Sequence, residues 1–364
     1  MKIAIICGEL EGGGVERVNT SLAKNFLKAR HDVTYIVVTT KKETATKSNY
    51  PFKIICLESK SIKRSLFASI SALKRLEPDI IMTSILDETF FALLYKHYYN
   101  RGTKIIYTQH TVWSTVCNLS KKGYFFNMIM PRVLKLFQMM DALVYVSRGV
   151  CDDMRKTVKG INTKEKVIYN PITSTNEFYR YKPIDKDHIQ LVTAGRLSSE
   201  KRQDIIIRAT KILIDRGVNT ELYIYGVGDM EDYLKNLCRD LEIADKVHFM
   251  GFSHDLQSDM SKYDIFVLSS IYESFGNVIV EAMNTGLPVI STDCPVGPRE
   301  LLDHGKYGIL IPMNDPKKMA ESVIQLVDTS CEKNVWDSFN RSMCFSVENS
   351  IRQYEKLFKE LRNK

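Results

Sequence analysis

The chain lacks any apolar run long enough to cross a bilayer. A membrane-spanning helix needs roughly 18 or more consecutive apolar residues, and no stretch approaches that. The opening run, Ile3-Ala4-Ile5-Ile6-Cys7, follows one lysine and stops at Gly8-Glu9. That is too short for the apolar region of a signal peptide and reads as a first buried strand. Neither membrane insertion nor export by this route is expected. Clustered cysteines are lacking too. The eight cysteines (7, 56, 117, 151, 238, 294, 331 and 344) include no CxxC pair and no companion histidine spacing. A zinc site or a disulfide framework would need both closer together. Cys7 and Cys56 lie in apolar runs, where a thiol behaves as a small hydrophobe, and the pattern points to a reducing cytoplasm. No segment is of low complexity, and apolar and charged shares of 44% and 26% are those of a globular protein.

What is present begins with charge. Residues 1–170 hold 27 Lys and Arg against 14 Asp and Glu, a net of +13, whereas the remainder is 24 against 29, a net of −5. The asymmetry implies an anionic partner for the first half: nucleic acid, acidic lipid or a phosphorylated substrate. No helix-turn-helix, zinc finger or aromatic RNA-binding motif is visible, so no nucleic-acid partner is expected.

Short β-rich runs alternate with helical stretches throughout. In the first half they are Ile3–Gly8, Val33–Thr40, Lys53–Glu58, Ile80–Ile85, Lys104–His110, Ala142–Ser147 and Lys166–Tyr169. Being near-continuously apolar, they imply strands buried on both faces of a parallel sheet. Helical segments such as Val15–Ala29 and Ile62–Leu76 complete βαβ units. After a polar stretch interrupted by Pro183, a second series follows: Ile189–Ala194, Glu221–Tyr225, Lys246–Gly251, Ile265–Ser270, Pro288–Thr292 and Gly308–Ile311. Its helices are Gln203–Asp215, Met230–Leu241 and Asn277–Thr285, the last stopped by Gly286-Leu287-Pro288. The expected architecture is α/β, with two tandem doubly wound Rossmann-like domains facing across a cleft. The first spans 1–170, a linker 171–188, the second 189–346, and a C-terminal helix, 347–364, packs back onto the first domain. Ligands of such sheets bind beyond the carboxyl ends of the strands.

Three strand-to-helix loops carry chemistry. Glu11-Gly12-Gly13-Gly14 opens a helix after the first strand, where glycines let a ligand approach the backbone and a helix N-terminus favours an anion. Its spacing is not GxGxxG and no acid ends the second strand, which disfavours a nicotinamide oxidoreductase. Gly195-Arg196-Leu197-Ser198-Ser199-Glu200-Lys201 follows the first strand of the second domain. Arginine offers a bidentate fork to phosphate oxygens and lysine a compact point charge. Glu273-Ser274-Phe275-Gly276-Asn277 then leads from a strand into a helix carrying Glu281. The amides of Ser274 to Asn277 form an anion-binding helix start, and Glu281 suits a ribose diol.

Taken together, Gly12-Gly13-Gly14, Gly195-Arg196 with Lys201, and Glu273-x7-Glu281 resemble the family 4 glycosyltransferases of GT-B fold, along nearly the whole chain. The resemblance implies sugar transfer with retention of anomeric configuration. It implies that Glu281 binds the donor ribose, that Arg196 and Lys201 hold the diphosphate, and that Glu273 and the amides after it position the sugar. His110, ending a first-domain strand, matches a family histidine that reaches the sugar. Asn170-Pro171 departs from the Asn-Gly that relatives carry. Asp293-Cys294-Pro295-Val296-Gly297-Pro298-Arg299-Glu300 resembles a subset that builds bacterial surface polysaccharides.

The implied donor is a UDP-sugar carrying a hexose or N-acetylhexosamine, and the acceptor a saccharide, lipid-linked, in O-antigen, capsule or lipopolysaccharide synthesis. No cofactor is expected, and no metal. The one Asp-x-Asp, Asp185-Lys186-Asp187, precedes a strand instead of following one and reads as solvated charge. Ser61–Leu76 and Lys121–Met140 interleave Lys63, Arg64, Lys74, Arg75, Lys121, Lys122, Arg132 and Lys135 with large apolar residues. Such segments either lie on an anionic membrane or serve as core helices. With the +13, they imply a cytoplasmic protein peripheral on the inner face of the cell membrane. The alternatives are a sugar-nucleotide epimerase or phosphorylase on the same fold, or a non-catalytic nucleotide-sugar-binding scaffold.

Overall fold

A computed structural model describes residues 1–10, 13–39, 50–59, 62–115, 132–173, 182–329 and 332–363. They form two compact units, Met1–Pro171 with Val347–Lys364, and Ile172–Ser346. The first contains β1 (Lys2–Cys7), β2 (Asp32–Val37), β3 (Lys53–Cys56), β4 (Ile80–Thr83), β5 (Lys104–Gln109), β6 (Ala142–Tyr145) and β7 (Lys164–Val167). The second contains β8 (Ile189–Ala194), β9 (Thr220–Tyr225), β10 (Val247–Gly251), β11 (Ile265–Leu268), β12 (Val289–Thr292) and β13 (Ile309–Ile311).

Each unit is a parallel sheet wound in both directions from its first strand. The orders are β3-β2-β1-β4-β5-β6-β7 and β10-β9-β8-β11-β12-β13. In register, Ile3 pairs with Val33 on one side of β1 and with Ile80 on the other. Central strands are buried on both faces, as their unbroken apolar runs require, β4 and β6 at every residue. The outer strands β3 and β7 are only half-buried. Strand β7, Lys-Glu-Lys-Val, lies two residues earlier than the expected Lys166–Tyr169.

Helices close the layers. Leu22, Ala23 and Phe26 of helix Gly14–Lys28 are buried, and Phe26 meets Tyr354 and Phe358 of the C-terminal helix Val347–Arg362 at ring distances of 5.7 and 5.3 Å. Helix Ile62–Leu76 buries Ser65, Ser69, Ala72 and Leu73. Leu66 and Ile70 are half-buried, while Phe67 is 73% exposed. Most of the other basic segment, and Gly12, lie outside the described residues. In the second unit, Ile205, Ile206, Ala209 and Leu213 of helix Gln203–Asp215 pack over Leu191, Leu222 and Val267. The segment expected as a linker divides at its start: Pro171 belongs to the first unit, while Ile172 and Thr173 bond to Phe345 in the second. Asp185 there accepts a hydrogen bond from its own near neighbour, the Asp187 amide, at 3.0 Å.

Candidate functional site

In the second unit the chain leaves β8 toward β9 on one side and later toward β11 on the other. The loops following β8 and β11 therefore diverge from adjacent strand ends, and such switch points open the crevice in which doubly wound sheets hold ligands. Two bonds tie these loops together. The Ile271 amide donates to the Glu200 carbonyl at 2.9 Å, and the Ser269 hydroxyl to the Lys201 carbonyl at 2.7 Å.

On this backbone frame Lys201 Nζ lies 2.6 Å from Glu273 Oε1, with side chains 22% and 10% exposed. The Ser270 hydroxyl donates to the same carboxylate oxygen at 2.7 Å. Behind Glu273 runs the turn at Gly297, whose φ of 94° suits glycine, and where a Cβ would fall 2.6 Å from the Phe275 carbonyl and 3.0 Å from Glu273 Cβ. The Asp293–Glu300 motif thus contributes a bare backbone, while its Arg299 forms a surface ion pair with Asp293.

Arg196 is exposed, and its carbonyl is fixed by Gln203 Nε2 at 2.9 Å. It shares the electrostatic neighbourhood of Lys201. Burial opposes ionisation of Glu200, yet the Ser198 hydroxyl and the Lys201 and Arg196 charges hold its carboxyl below the usual range. Burial raises the Tyr272 phenol, with Glu200 and Glu273 adding to the shift and Lys201 and Arg196 opposing it. Burial likewise pushes the Cys294 thiol up to about 12, so it is an inert neighbour of Glu273 and not a nucleophile.

From Glu273 the chain passes through Ser274 and Phe275 to Gly276, the N-cap of helix Asn277–Thr285. The Phe275 ring turns inward, 5.6 Å from Phe345, leaving only its backbone for a ligand. The helix start carries the positive end of the macrodipole next to the loop of Lys201 and Arg196. Glu281, one turn on, is buried, at 4% exposure.

His110 and the glycine turn belong to the first unit. His110 directly follows β5 and is buried, and its Nε2 has no hydrogen-bond partner among the described residues. Burial lowers its imidazole to about 4, leaving the ring neutral near pH 7. Gly13 is the extended N-cap of helix Gly14–Lys28, and Gly14 is exposed.

Sequence reasoning passed over Ser269, Ser270 and Gln203, which hold the loops and the carboxylate, and Tyr272 beside them. It also passed over Gly226-Val227-Gly228, although a glycine pair directly after a strand is a legible signal. There a Cβ would meet the Gly195 carbonyl oxygen at 1.9 Å and the Leu197 carbonyl oxygen at 2.2 Å, so the neighbouring loop presses on bare backbone. Among the described residues no group of His, Cys, Asp or Glu is placed to hold a metal ion.

Comparisons with known proteins bear on the family and the fold. The family model for glycosyl transferases group 1 matches residues 175–342, and that for Glycosyltransferase Family 4 matches residues 12–175. The chain belongs to the family 4 glycosyltransferases. This glycosyltransferase is 24% identical over 349 residues to an uncharacterised glycosyltransferase of Methanocaldococcus jannaschii, covering 85% of this chain and 84% of that one. It is 28% identical over 204 residues to a lipopolysaccharide core biosynthesis glycosyltransferase of Rhizobium meliloti, covering 54% and 57%. The Anabaena protein HepE, solved in complex with UDP and glucose, superposes with a TM-score of 0.81 at 19% identity, covering 99% of this chain and 100% of its own. The chain thus has the GT-B glycosyltransferase fold.

Proposed function

We propose that this family 4 glycosyltransferase moves a hexose or N-acetylhexosamine from a UDP-sugar to a saccharide acceptor, with retention and without a metal. The observation that carries the reading is the Lys201–Glu273 pair, fixed at a switch point beside Arg196 and a helix N-terminus. That is a cluster of positive charge with the carboxylates of Glu273 and Glu200 at its edge. Lys201, Arg196 and the Ser274–Asn277 backbone would hold the diphosphate, and Glu281 the ribose. UDP in the structurally similar Anabaena protein supports the choice of nucleotide.

In the reaction the bond from the sugar C1 to the diphosphate oxygen breaks. A bond from C1 to the acceptor oxygen forms on the same face, and the acceptor's proton passes to the departing diphosphate. Fixed cations stabilise the charge that grows on the leaving group, which is where transition-state stabilisation counts most. Glu273 favours positive character on the ring. By the family resemblance, His110, neutral near pH 7, is a sugar contact, and the turn at Gly13 and Gly14 a phosphate contact.

Lipopolysaccharide synthesis by a relative supports a cell-surface glycan product and a lipid-linked acceptor. The excess positive charge of residues 1–170, with exposed Lys74 and Arg75 on the helix that also exposes Phe67, supports peripheral binding to the anionic inner face of the cell membrane. The test is thermal unfolding with UDP, followed by transfer assays with chelator present. At a hundredfold excess over its dissociation constant, UDP should stabilise the fold by about 2.7 kcal/mol, and Glu281→Ala should remove most of that shift. No stabilisation by any nucleoside diphosphate, or transfer abolished by chelator, would end the reading.

A further inference from the structure

The first unit has a switch point of its own, between β1 and β4, and a buried acid stands there that the reaction above does not use. Glu88, in the first turn of helix Leu86–Tyr98, is 4% exposed. Its carboxylate accepts a hydrogen bond from the Ser84 backbone amide, while Oε2 has no partner among the described residues. A helix cap explains one oxygen only; a buried second oxygen left unmade costs stability. Across from it lies Gly8, the residue after β1, where a Cβ would sit 3.9 Å from Glu88 Oε1. Gly8 is not in left-handed backbone, so its missing side chain serves space and not conformation.

We propose that Glu88 binds a hydroxyl of the saccharide acceptor, approached past the bare backbone of Gly8; this rests on the function proposed above. Among the described residues, the charged groups acting on Glu88 are acids, Asp87 and Glu16. Within a unit of net positive charge, that spot repels phosphate and suits a neutral polyol. Burial pushes the carboxyl up to about 8, the Ser84 amide opposing and Asp87 and Glu16 adding. Near neutrality it therefore stays largely protonated and offers both a donor and an acceptor, as a sugar hydroxyl does. Glu88 is an acceptor-positioning residue, not a base, since the departing diphosphate takes the proton.

The test uses the full chain with UDP-glucose or UDP-N-acetylglucosamine as donor and octyl glucoside, octyl galactoside and octyl N-acetylglucosaminide as acceptors. Glu88→Met keeps the length of the side chain and removes its donor and acceptor at the cost of one capping bond, and Gly8→Ala adds a Cβ at an ordinary contact distance, so both should fold. Each is expected to raise the acceptor KM at least tenfold while the dissociation constant for UDP, read by calorimetry, stays within twofold. Unchanged acceptor KM in both variants, against an active wild type, refutes the inference and leaves Glu88 a helix cap. Wild type that binds UDP and transfers to none of the glycosides removes the saccharide-acceptor reading, and this inference falls with it.

Discussion

Lys201→Met tests both the packing and the chemistry of the site. The substitution keeps the stem of the side chain and removes one charge of a pair 2.6 Å apart and mostly withdrawn from water. Breaking a buried pair from one side leaves the other charge uncompensated, at about 3–5 kcal/mol. Here the Ser270 hydroxyl still donates to Glu273, and a hydrogen bond to a charged group contributes about 1.5–3 kcal/mol. Exposure of 22% at Lys201 also admits some solvent. A loss at or just below the lower end of that range, about 2–3 kcal/mol, is therefore expected, read as a shift in the urea midpoint at constant slope. The double variant Lys201→Met/Glu273→Gln should regain most of that stability, because neither charge remains. Turnover should behave differently. A preorganised contact to developing negative charge contributes about a hundredfold to a thousandfold in kcat, and the double variant cannot restore it. Turnover within threefold of wild type in Lys201→Met, or recovered in the double variant, would show that Lys201 serves the fold and not the leaving group.

Two further outcomes follow from named atoms. Gly297→Ala forces a side chain into left-handed backbone and against the Phe275 carbonyl, so a stability loss of about 1–3 kcal/mol and a lower kcat are expected; wild-type melting and turnover would show that the turn does not support Glu273. For Glu88 the folded carboxyl is raised by burial to about 8, so the folded state holds its proton more tightly than the unfolded chain. Its contribution to stability is complete below the unfolded value and is lost as pH rises toward and through 8, by at most about 1.4 kcal/mol per pH unit. Melting temperatures between pH 5 and 8.5 should therefore fall less in Glu88→Gln than in wild type, and parallel curves would contradict the shift.

Much of the fold is written locally. A parallel strand covered on both faces must be apolar at consecutive positions, so Ile3–Cys7, Ile80–Thr83 and Ala142–Tyr145 announce themselves. Helix Asn277–Thr285 shows both of its ends, because Gly276 and Gly286 take backbone conformations that side chains resist. The half-buried edge strand Lys164–Val167 has no such pattern, and its register was legible only to within two residues. The candidate site follows the same division. Arg196, Lys201 and Glu273 stand out because two basic residues and an acid follow strands. Tyr272 and Ser270 do not, because a tyrosine and a serine in a loop have no spacing that marks them. Glu88 reads as an ordinary acid in the first turn of a helix, and nothing local says that it is buried.

The sequence by itself determined the alternation of strand and helix, the family, and the residue types able to hold a diphosphate. Each of these depends on neighbours along the chain. Only the tertiary structure decided that β11 lies beside β8 and not beside β10. That crossover sets Lys201 against Glu273, 72 residues away, and places the Gly297 turn behind them. The physical reason is that a strand's apolar run fixes its burial but not its neighbour. The pairing order comes from the winding of the whole sheet, and the chemistry gathers where that winding reverses.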